Sequence, residues 1–384
     1  MNAMEPAIAI LGIGTAVPRY QLEQTDASER LADALAENPE AARWAKRIFK
    51  QSAVETRYTC EPNLLEPAAS CRYVPSKSLL DTPTTAERME MYKVESVPLS
   101  LQAAAGALSD SRLNASEITH LITVSCTGFF LPSIDTALID QLGLKPDVKR
   151  IPLTFLGCAA GLTAVRLSRE LVEGNASARI LLVCIELCTL HIQPSSEREA
   201  LFATAFFGDG AAACVIGRSG SNQRGIFALD TNHSAIVPGS KDDMGWKVGN
   251  YGFNLYLSPR IPELIGKYVP AEIERLFAGS PMPELWAIHP GGRGIIDKLQ
   301  ALYELKDEQT RASRSVLRDY GNMSSATILF VLQEMRAGLR SQLPVLSGQD
   351  PKRGIALAFG PGLSMELQRI TYIEPSFYWG EACD

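Results

Sequence analysis

The chain is poor in groups that exchange protons near neutral pH. It has four histidines in 384 residues, His120, His191, His233 and His289, so the search for an imidazole base is short. It has no apolar run of the roughly 18–20 residues a membrane helix needs, so no stable membrane insertion is expected. It has no basic excess: a net charge of −6 gives no general attraction to nucleic acid or anionic lipid, and an anionic ligand would need a local patch. Its eight cysteines lack regular spacing, which suits reduced cytoplasmic thiols better than a disulfide framework. The run Ala7-Ile8-Ala9-Ile10-Leu11 lacks a basic flank and a cleavage pattern, so it reads as a strand and not a signal peptide. What remains is 46% apolar and 21% charged, an ordinary globular composition in a length that suits two domains or two fused halves.

The first strand runs into Gly12-Ile13-Gly14-Thr15-Ala16-Val17-Pro18. Two glycines of a dinucleotide fingerprint are present, but Val17 stands where the third belongs and Pro18 opposes a helix, so the stretch reads as a strand-to-loop turn. Helical patterns follow at 23–37 and 40–50. The second carries Arg43, Lys46, Arg47 and Lys50, with Arg57 shortly after, either a solvated face or an anion site for phosphates. Residues 59–82 read as a long loop. A helix at 84–110 puts Met91, Val94, Leu101, Ala105 and Leu108 on one stripe, with Pro98 marking a kink or a fresh start. Strands are expected at 119–125, 180–184, 211–216, 225–230, 251–257, 285–289, 354–358 and 365–371. Helices are expected at 135–142, 159–172, 195–206, 261–277, 293–302, 308–318 and 322–337. Strands alternating with helices give an α/β layered fold, with the polar stretch 218–224 as the junction between halves.

Cys158 follows Thr154-Phe155-Leu156-Gly157 and precedes Ala159-Ala160-Gly161. A cysteine between a strand end and a helix start meets unpaired backbone N–H groups and the helix dipole, which favour a thiolate; the bland alternative is a small packed apolar residue. His289 ends the strand Leu285–Ile288 and is followed by Pro290-Gly291-Gly292, at an edge where catalytic groups collect; it also fits a core histidine satisfied by backbone. Asn322, after Gly321, fits a helix N-cap or an amide donor to a thioester or enolate oxygen. Together Cys, His and Asn suit acyl transfer. Two rivals are weaker. Cys184, Cys188 and His191 are loosely spaced for zinc, but Cys184 sits in an apolar strand and no second ligand pair appears. The order Cys, His, Asn matches papain-like proteases, whose Cys-Gly-Ser-Cys-Trp context is missing.

Five ordered stretches carry a family resemblance: Gly-Cys-Ala-Ala-Gly at 157–161, Phe-Gly-Asp-Gly-Ala-Ala-Ala at 207–213, His-Pro-Gly-Gly at 289–292, Gly-Asn-Met-Ser-Ser-Ala at 321–326 and Phe-Gly-Pro-Gly-Leu at 359–363. Over about 7–371 the chain resembles type III polyketide synthases, the chalcone synthase-like homodimers of the thiolase fold. The resemblance implies a layered αβαβα architecture in two pseudo-repeated halves, 1–217 and 225–371, with a tail at 372–384. It implies Cys158 as nucleophile with His289 and Asn322, Phe207 as gatekeeper and Phe253 as a second one. It places Cys126, Thr127, His191 and Ser324 at the cavity, and puts Leu131 where plant members carry a methionine that reaches into the partner's cavity. It assigns CoA contacts to Arg47, with Lys46 and Lys50 shifted from the family positions. Acyl-CoA and malonyl-CoA are substrates in this reading, and no metal or redox cofactor is called for. The run Glu186-Leu187-Cys188-Thr189-Leu190-His191 is similar to bacterial members that make alkylpyrones or alkylresorcinols from fatty acyl-CoA. The alternative is a class III ketoacyl-ACP synthase-like enzyme fed by a carrier protein; His289-Pro290 and Pro361 favour the polyketide synthase.

Overall fold

The structure is a computed structural model that describes residues 7–75, 79–220, 223–341 and 351–374. In chain order the first half holds β1 (Ile8–Ala16), β2 (Tyr20–Glu23), α1 (Gln24–Ala34), α2 (Pro39–Gln51), β3 (Thr56–Thr59), α3 (Thr85–Ser111), β4 (His120–Ser125), α4 (Ile134–Leu142), β5 (Lys149–Thr154), α5 (Ala160–Gly174), β6 (Ile180–Leu187), α6 (Arg198–Phe206) and β7 (Asp209–Arg218). The second holds β8 (Phe227–Ile236), β9 (Met244–Gly249), β10 (Gly252–Leu257), α7 (Ile261–Phe277), β11 (Leu285–Ile288), α8 (Arg293–Tyr303), α9 (Asp307–Tyr320), α10 (Thr327–Arg340), β12 (Arg353–Gly360) and β13 (Ser364–Tyr372).

Nine strands form one mixed sheet in the order β11-β12-β13-β8-β1-β7-β6-β4-β5. A repeat is visible in the pairing. β4 and β6 are parallel, then β6–β7 and β7–β1 are antiparallel. β11 and β12 are parallel, then β12–β13 and β13–β8 are antiparallel. The two halves meet at β1 and β8 through Ala9–Ala228 and Ile10–Phe227. α5 and α10 sit between the halves in a core built with strand residues of both. α3 covers one outer face and α7 with α8 the other. This is the layered, thiolase-like α/β arrangement. β6 is buried along its whole length, as a continuous apolar run flanked on both sides requires.

Three expectations need correction. Residues 56–59 form a strand with 20–23, and 62–65 a short 3-10 turn, so the loop is shorter than 59–82; residues 76–78 lie outside the described residues. α3 passes Pro98 without a fresh start, and of its predicted stripe only Leu108 is buried. The buried face instead carries Ala103, Ala104 and Ala107, because β1 runs directly beneath it. The tail is anchored at its beginning: Ile373 donates to the Ile226 carbonyl, and Glu374 pairs with Arg336 and Arg340. Residues 375–384 lie outside the described residues.

The Gly12-Ile13-Gly14 stretch now has a packing role. A Cβ on Gly12 would overlap Ala107 and Ser111, and one on Gly14 would overlap the Ala103 carbonyl. Both glycines let α3 lie against β1. Gly14→Ala is therefore expected to lower unfolding stability by about 1–3 kcal/mol in a urea titration; a variant within error of the parent would show that the helix can move aside.

Candidate active site

Cys158 is positioned by a backbone that a larger residue would disturb. The chain leaves β5 with φ of 63° at Phe155 and 64° at Gly157, and a Cβ on Gly157 would overlap the Pro361 ring. Cys158 then lies in a 3-10 turn ahead of α5, partly accessible. His289 extends β11, its N–H donating to the Leu357 carbonyl at 2.8 Å. Asn322 is not the N-cap of α10, which Ala326 provides. Its backbone is instead clamped to the α6–β7 connection: Asn322 N–H donates to the Phe206 carbonyl at 2.8 Å and Gly208 N–H to the Asn322 carbonyl at 3.1 Å. The Asn322 side-chain oxygen accepts from Ser324 N–H at 2.8 Å, which orients Nδ2 toward the sulfur, 4.0 Å away. A Cβ on Gly161 would overlap the Ser325 carbonyl, so the beginnings of α5 and α10 touch there.

These residues line one cavity of about 680 Å³, within the range of small-molecule sites. Nine expected site residues fall on its wall: Cys126, Thr127, Cys158, His191, Phe207, Phe253, His289, Asn322 and Ser324. Four do not. Leu131 is 91% exposed, and Lys46, Arg47 and Lys50 project from the exposed face of α2. Arg57 is no surface cation either: it is buried, its Nη1 donating to the Thr204 and Phe207 carbonyls.

Other residues were hidden in the sequence. Arg198, between two glutamates, lines the cavity and lies 3.9 Å from the ring centroid of Trp44, with Arg47 5.5 Å from the same ring. Trp246 stacks on Phe253 at 4.5 Å, and His191 on Phe253 at 4.0 Å. Glu186, wholly buried, accepts from Cys126 N–H at 3.1 Å and Thr127 Oγ1 at 2.7 Å, and also from Ser325 Oγ. Burial raises its pKa. It ties β6 to the Cys126–Thr127 turn and to the approach to α10. The expected strand stops at residue 184, so it predicts neither the burial of Glu186 nor the donors that meet it.

His191 accepts at Nδ1 from Phe253 N–H at 3.1 Å and donates from Nε2 to the Thr127 carbonyl at 2.6 Å. Burial lowers its pKa to about 4. Both nitrogens are spent on backbone, so the imidazole is a neutral wall element and no metal ligand. His120, at the start of β4, bonds its neighbour Thr119.

Burial also governs the catalytic candidates. It pushes the Cys158 thiol up to about 11, against hydrogen bonds from Ser324 and Asn322 that lower it. It pushes the His289 imidazole down to about 3. Both His289 ring nitrogens are buried without a protein partner among the described residues, so no hydrogen bond joins them to the sulfur. The expected thiolate is therefore not the resting form of Cys158 standing alone. Each shift is the cost of burying one charge. Moving the proton from sulfur to imidazole creates both charges at once, and their attraction offsets part of that cost.

Residues 2–220 match the family model "Chalcone and stilbene synthases, N-terminal domain", and residues 228–373 match the corresponding C-terminal domain. The chain belongs to the chalcone and stilbene synthase family. It is a type III polyketide synthase, an acyltransferase-type condensing enzyme. Among solved structures it is similar to the C-terminal type III polyketide synthase domain of Steely1, a type I/III hybrid from Dictyostelium, with TM-score 0.84 and 28% identity over 96% of this chain and 99% of that one. It is also similar to PKS-I from the brown alga Ectocarpus siliculosus, with TM-score 0.86 and 27% identity over 97% of this chain and 100% of that one. The family match does not favour the carrier-protein alternative.

The proton coupling between Cys158 and His289 is read by iodoacetamide alkylation followed by mass spectrometry. In His289→Gln the pH of half-maximal alkylation is expected to rise toward about 11, where burial and the nearby Glu186 outweigh the lowering hydrogen bonds from Ser324 and Asn322, by at least about one unit over the parent enzyme. Superimposable profiles would remove His289 as the proton acceptor.

Proposed function

We propose that this polyketide synthase loads an apolar acyl-CoA starter on Cys158 and extends it with malonyl-CoA by decarboxylative Claisen condensation. The observation that carries this reading is the meeting of Cys158, His289 and Asn322 on one cavity wall, with the Asn322 amide 4.0 Å from the sulfur. As the sulfur attacks the starter thioester, its proton passes to His289. The tetrahedral adduct collapses to acyl-Cys158, and the departing CoA sulfur takes the proton from His289 as CoASH. Malonyl-CoA then loses CO2. The electron pair of the broken C–C bond becomes an enolate, whose oxygen accepts hydrogen bonds from Asn322 Nδ2 and His289. The enolate carbon attacks acyl-Cys158, a new C–C bond forms and the thiolate leaves. The lengthened chain returns to Cys158 for further rounds and then closes to a pyrone or resorcinol-type product. CoA thioesters are the substrates, and the scheme calls for no separate cofactor.

A fatty starter is supported by the outer wall, where Met244, Trp246, Leu255, Leu257 and Ile261 supply apolar surface. For CoA itself, Arg198 of the cavity wall and Arg47 of α2 both lie over the Trp44 ring. A homodimer is part of the proposal. Leu131 is 91% exposed, Val94 63% and Phe129 53%, apolar surface that a second copy would cover. The proposed setting is the cytoplasm; among the described residues no helix is long and apolar enough to cross a membrane.

Incubation with malonyl-CoA and a panel of fatty and aromatic acyl-CoAs, with product mass analysis, tests the reading. Cys158→Ala is expected to abolish the acyl-enzyme mass, and persistent acylation would refute the nucleophile. Asn322→Ala is expected to cut malonyl-CoA decarboxylation by roughly 10²–10³-fold while starter acylation persists; parallel losses would refute its role. Leu131→Asp is expected to shift sedimentation toward the monomer, and an unchanged profile would place the interface elsewhere.

A further inference from the structure

We propose that Arg57 is a positioning residue that sets the gatekeeper Phe207 and the donor Asn322 against each other for the extension half-reaction. The inference rests on the reading of Asn322 given above. Arg57 lies in β3, outside the cavity wall, and is 1% exposed. Its Nη1 donates to the Thr204 carbonyl at 2.6 Å and to the Phe207 carbonyl at 2.7 Å. One guanidinium nitrogen thus holds the last turn of α6 and the gate residue together.

The same side chain supports the Asn322 loop. A Cβ on Gly321 would stand 3.0 Å from Arg57 Cγ and 2.5 Å from the Phe206 carbonyl; one on Gly208 would stand 3.4 Å from Arg57 Cβ and 2.5 Å from the Tyr320 carbonyl. Two chain segments therefore cross at bare glycines directly over the arginine stem. Neighbours in β3 fix that strand to the same loop: Thr56 Oγ1 donates to the Asp319 carbonyl at 2.7 Å, and the Tyr58 and Tyr320 rings stack at 5.9 Å. Phe207 and Asn322 are joined by a parallel bridge, so a shift in one carbonyl partner of Arg57 reaches both groups.

A buried guanidinium is costly unless it has work that a smaller group cannot do. Here burial lowers the Arg57 pKa to about 10, partly offset by the buried Asp209 carboxylate. No ion pair joins Arg57 directly to an acid among the described residues, and its Nε has no partner. Its donors go to two carbonyls of the segment that carries the gate. A lysine keeps the charge, but its ammonium ends one bond short of Nη1 and does not reach both oxygens.

The starter half-reaction depends on different supports. Gly157 against Pro361 and Gly161 against Ser325 fix Cys158, and none of these residues touches Arg57 in those contacts. Loosening Arg57 should therefore separate the two half-reactions.

Three readouts on the full-length enzyme test this: starter acylation of Cys158 by intact mass, CO2 release from malonyl-CoA, and thermal unfolding. Arg57→Lys is expected to slow CO2 release by roughly 10–100-fold, as misplacement by about an ångström does, with acylation within about threefold of the parent. Gly14→Ala is the stability control, expected to lower the melting temperature while leaving the ratio of the two rates unchanged. Gly321→Ala crowds the same crossing from the other side and is expected to show the selective loss if Arg57→Lys fails to fold. Equal losses of both half-reactions, or a Gly14→Ala ratio that moves with Arg57→Lys, would reduce Arg57 to a structural residue. If Asn322→Ala spares decarboxylation, the reading of Asn322 fails first. If Asn322→Ala impairs it and Arg57→Lys does not, only the role of Arg57 fails.

Discussion

The contact between the beginnings of α5 and α10 is the constraint on which the site depends. Gly161 has no side chain where the Ser325 carbonyl passes, and that lets two buried helices from opposite halves start side by side. Cys158 precedes one and Asn322 precedes the other. Each helix turns the positive end of its dipole toward the segment that carries its residue. Both proposed intermediates, a thiolate and an enolate, carry negative charge there. A bulkier residue at 161 would push the halves apart and separate nucleophile from amide, although neither of those residues would itself have changed.

The depth that this packing produces has two opposite effects on the chemistry. It makes a lone thiolate or a lone imidazolium expensive, as the upward shift at Cys158 and the downward shift at His289 record. It also strengthens any interaction between the two once both are charged. Depth therefore favours charging the two groups together over charging either one alone. Glu186 adds to the first effect, because its proximity raises the thiol further, while its own bonds to Cys126, Thr127 and Ser325 keep the surrounding loops in place.

Much of this was legible in the residues. The continuous apolar run of β6 and the strand-to-helix change at Cys158 are patterns of period and position, and local sequence expresses both. Four of the five family stretches mark a backbone that must pass another closely, at Gly161, Gly208, Gly321 and Gly360. What local sequence could not express was direction. Arg57 reads as one more cation after Arg43, Lys46, Arg47 and Lys50, yet two carbonyls from residues about 150 positions later draw it inward. Gly12 and Gly14 resemble a phosphate loop because both uses need a bare backbone; only α3 lying above them tells which applies. The stripe on α3 was assigned to the wrong face for the same reason. A helix that sits on glycine needs small residues at the crossing, here Ala103 and Ala107, while Tyr92, Leu99 and Leu108 are buried farther along it.

The part of the cavity wall formed by His191, Phe253 and Trp246 follows from hydrogen bonding more than from shape. His191 spends one nitrogen on Phe253 N–H and the other on the Thr127 carbonyl, so it offers the cavity a ring with no free donor or acceptor. Gly252 permits this approach: a Cβ there would stand 3.1 Å from the imidazole Nδ1. Phe253 lies flat against His191, and Trp246 lies flat against Phe253, with interplanar angles of 9° and 4°. Three rings of different chemistry therefore act as one apolar slab, anchored through a histidine whose polarity is consumed at the backbone. A polar residue in the sequence at 191 has thus produced an apolar surface, and it is against that surface that a growing acyl chain would be held.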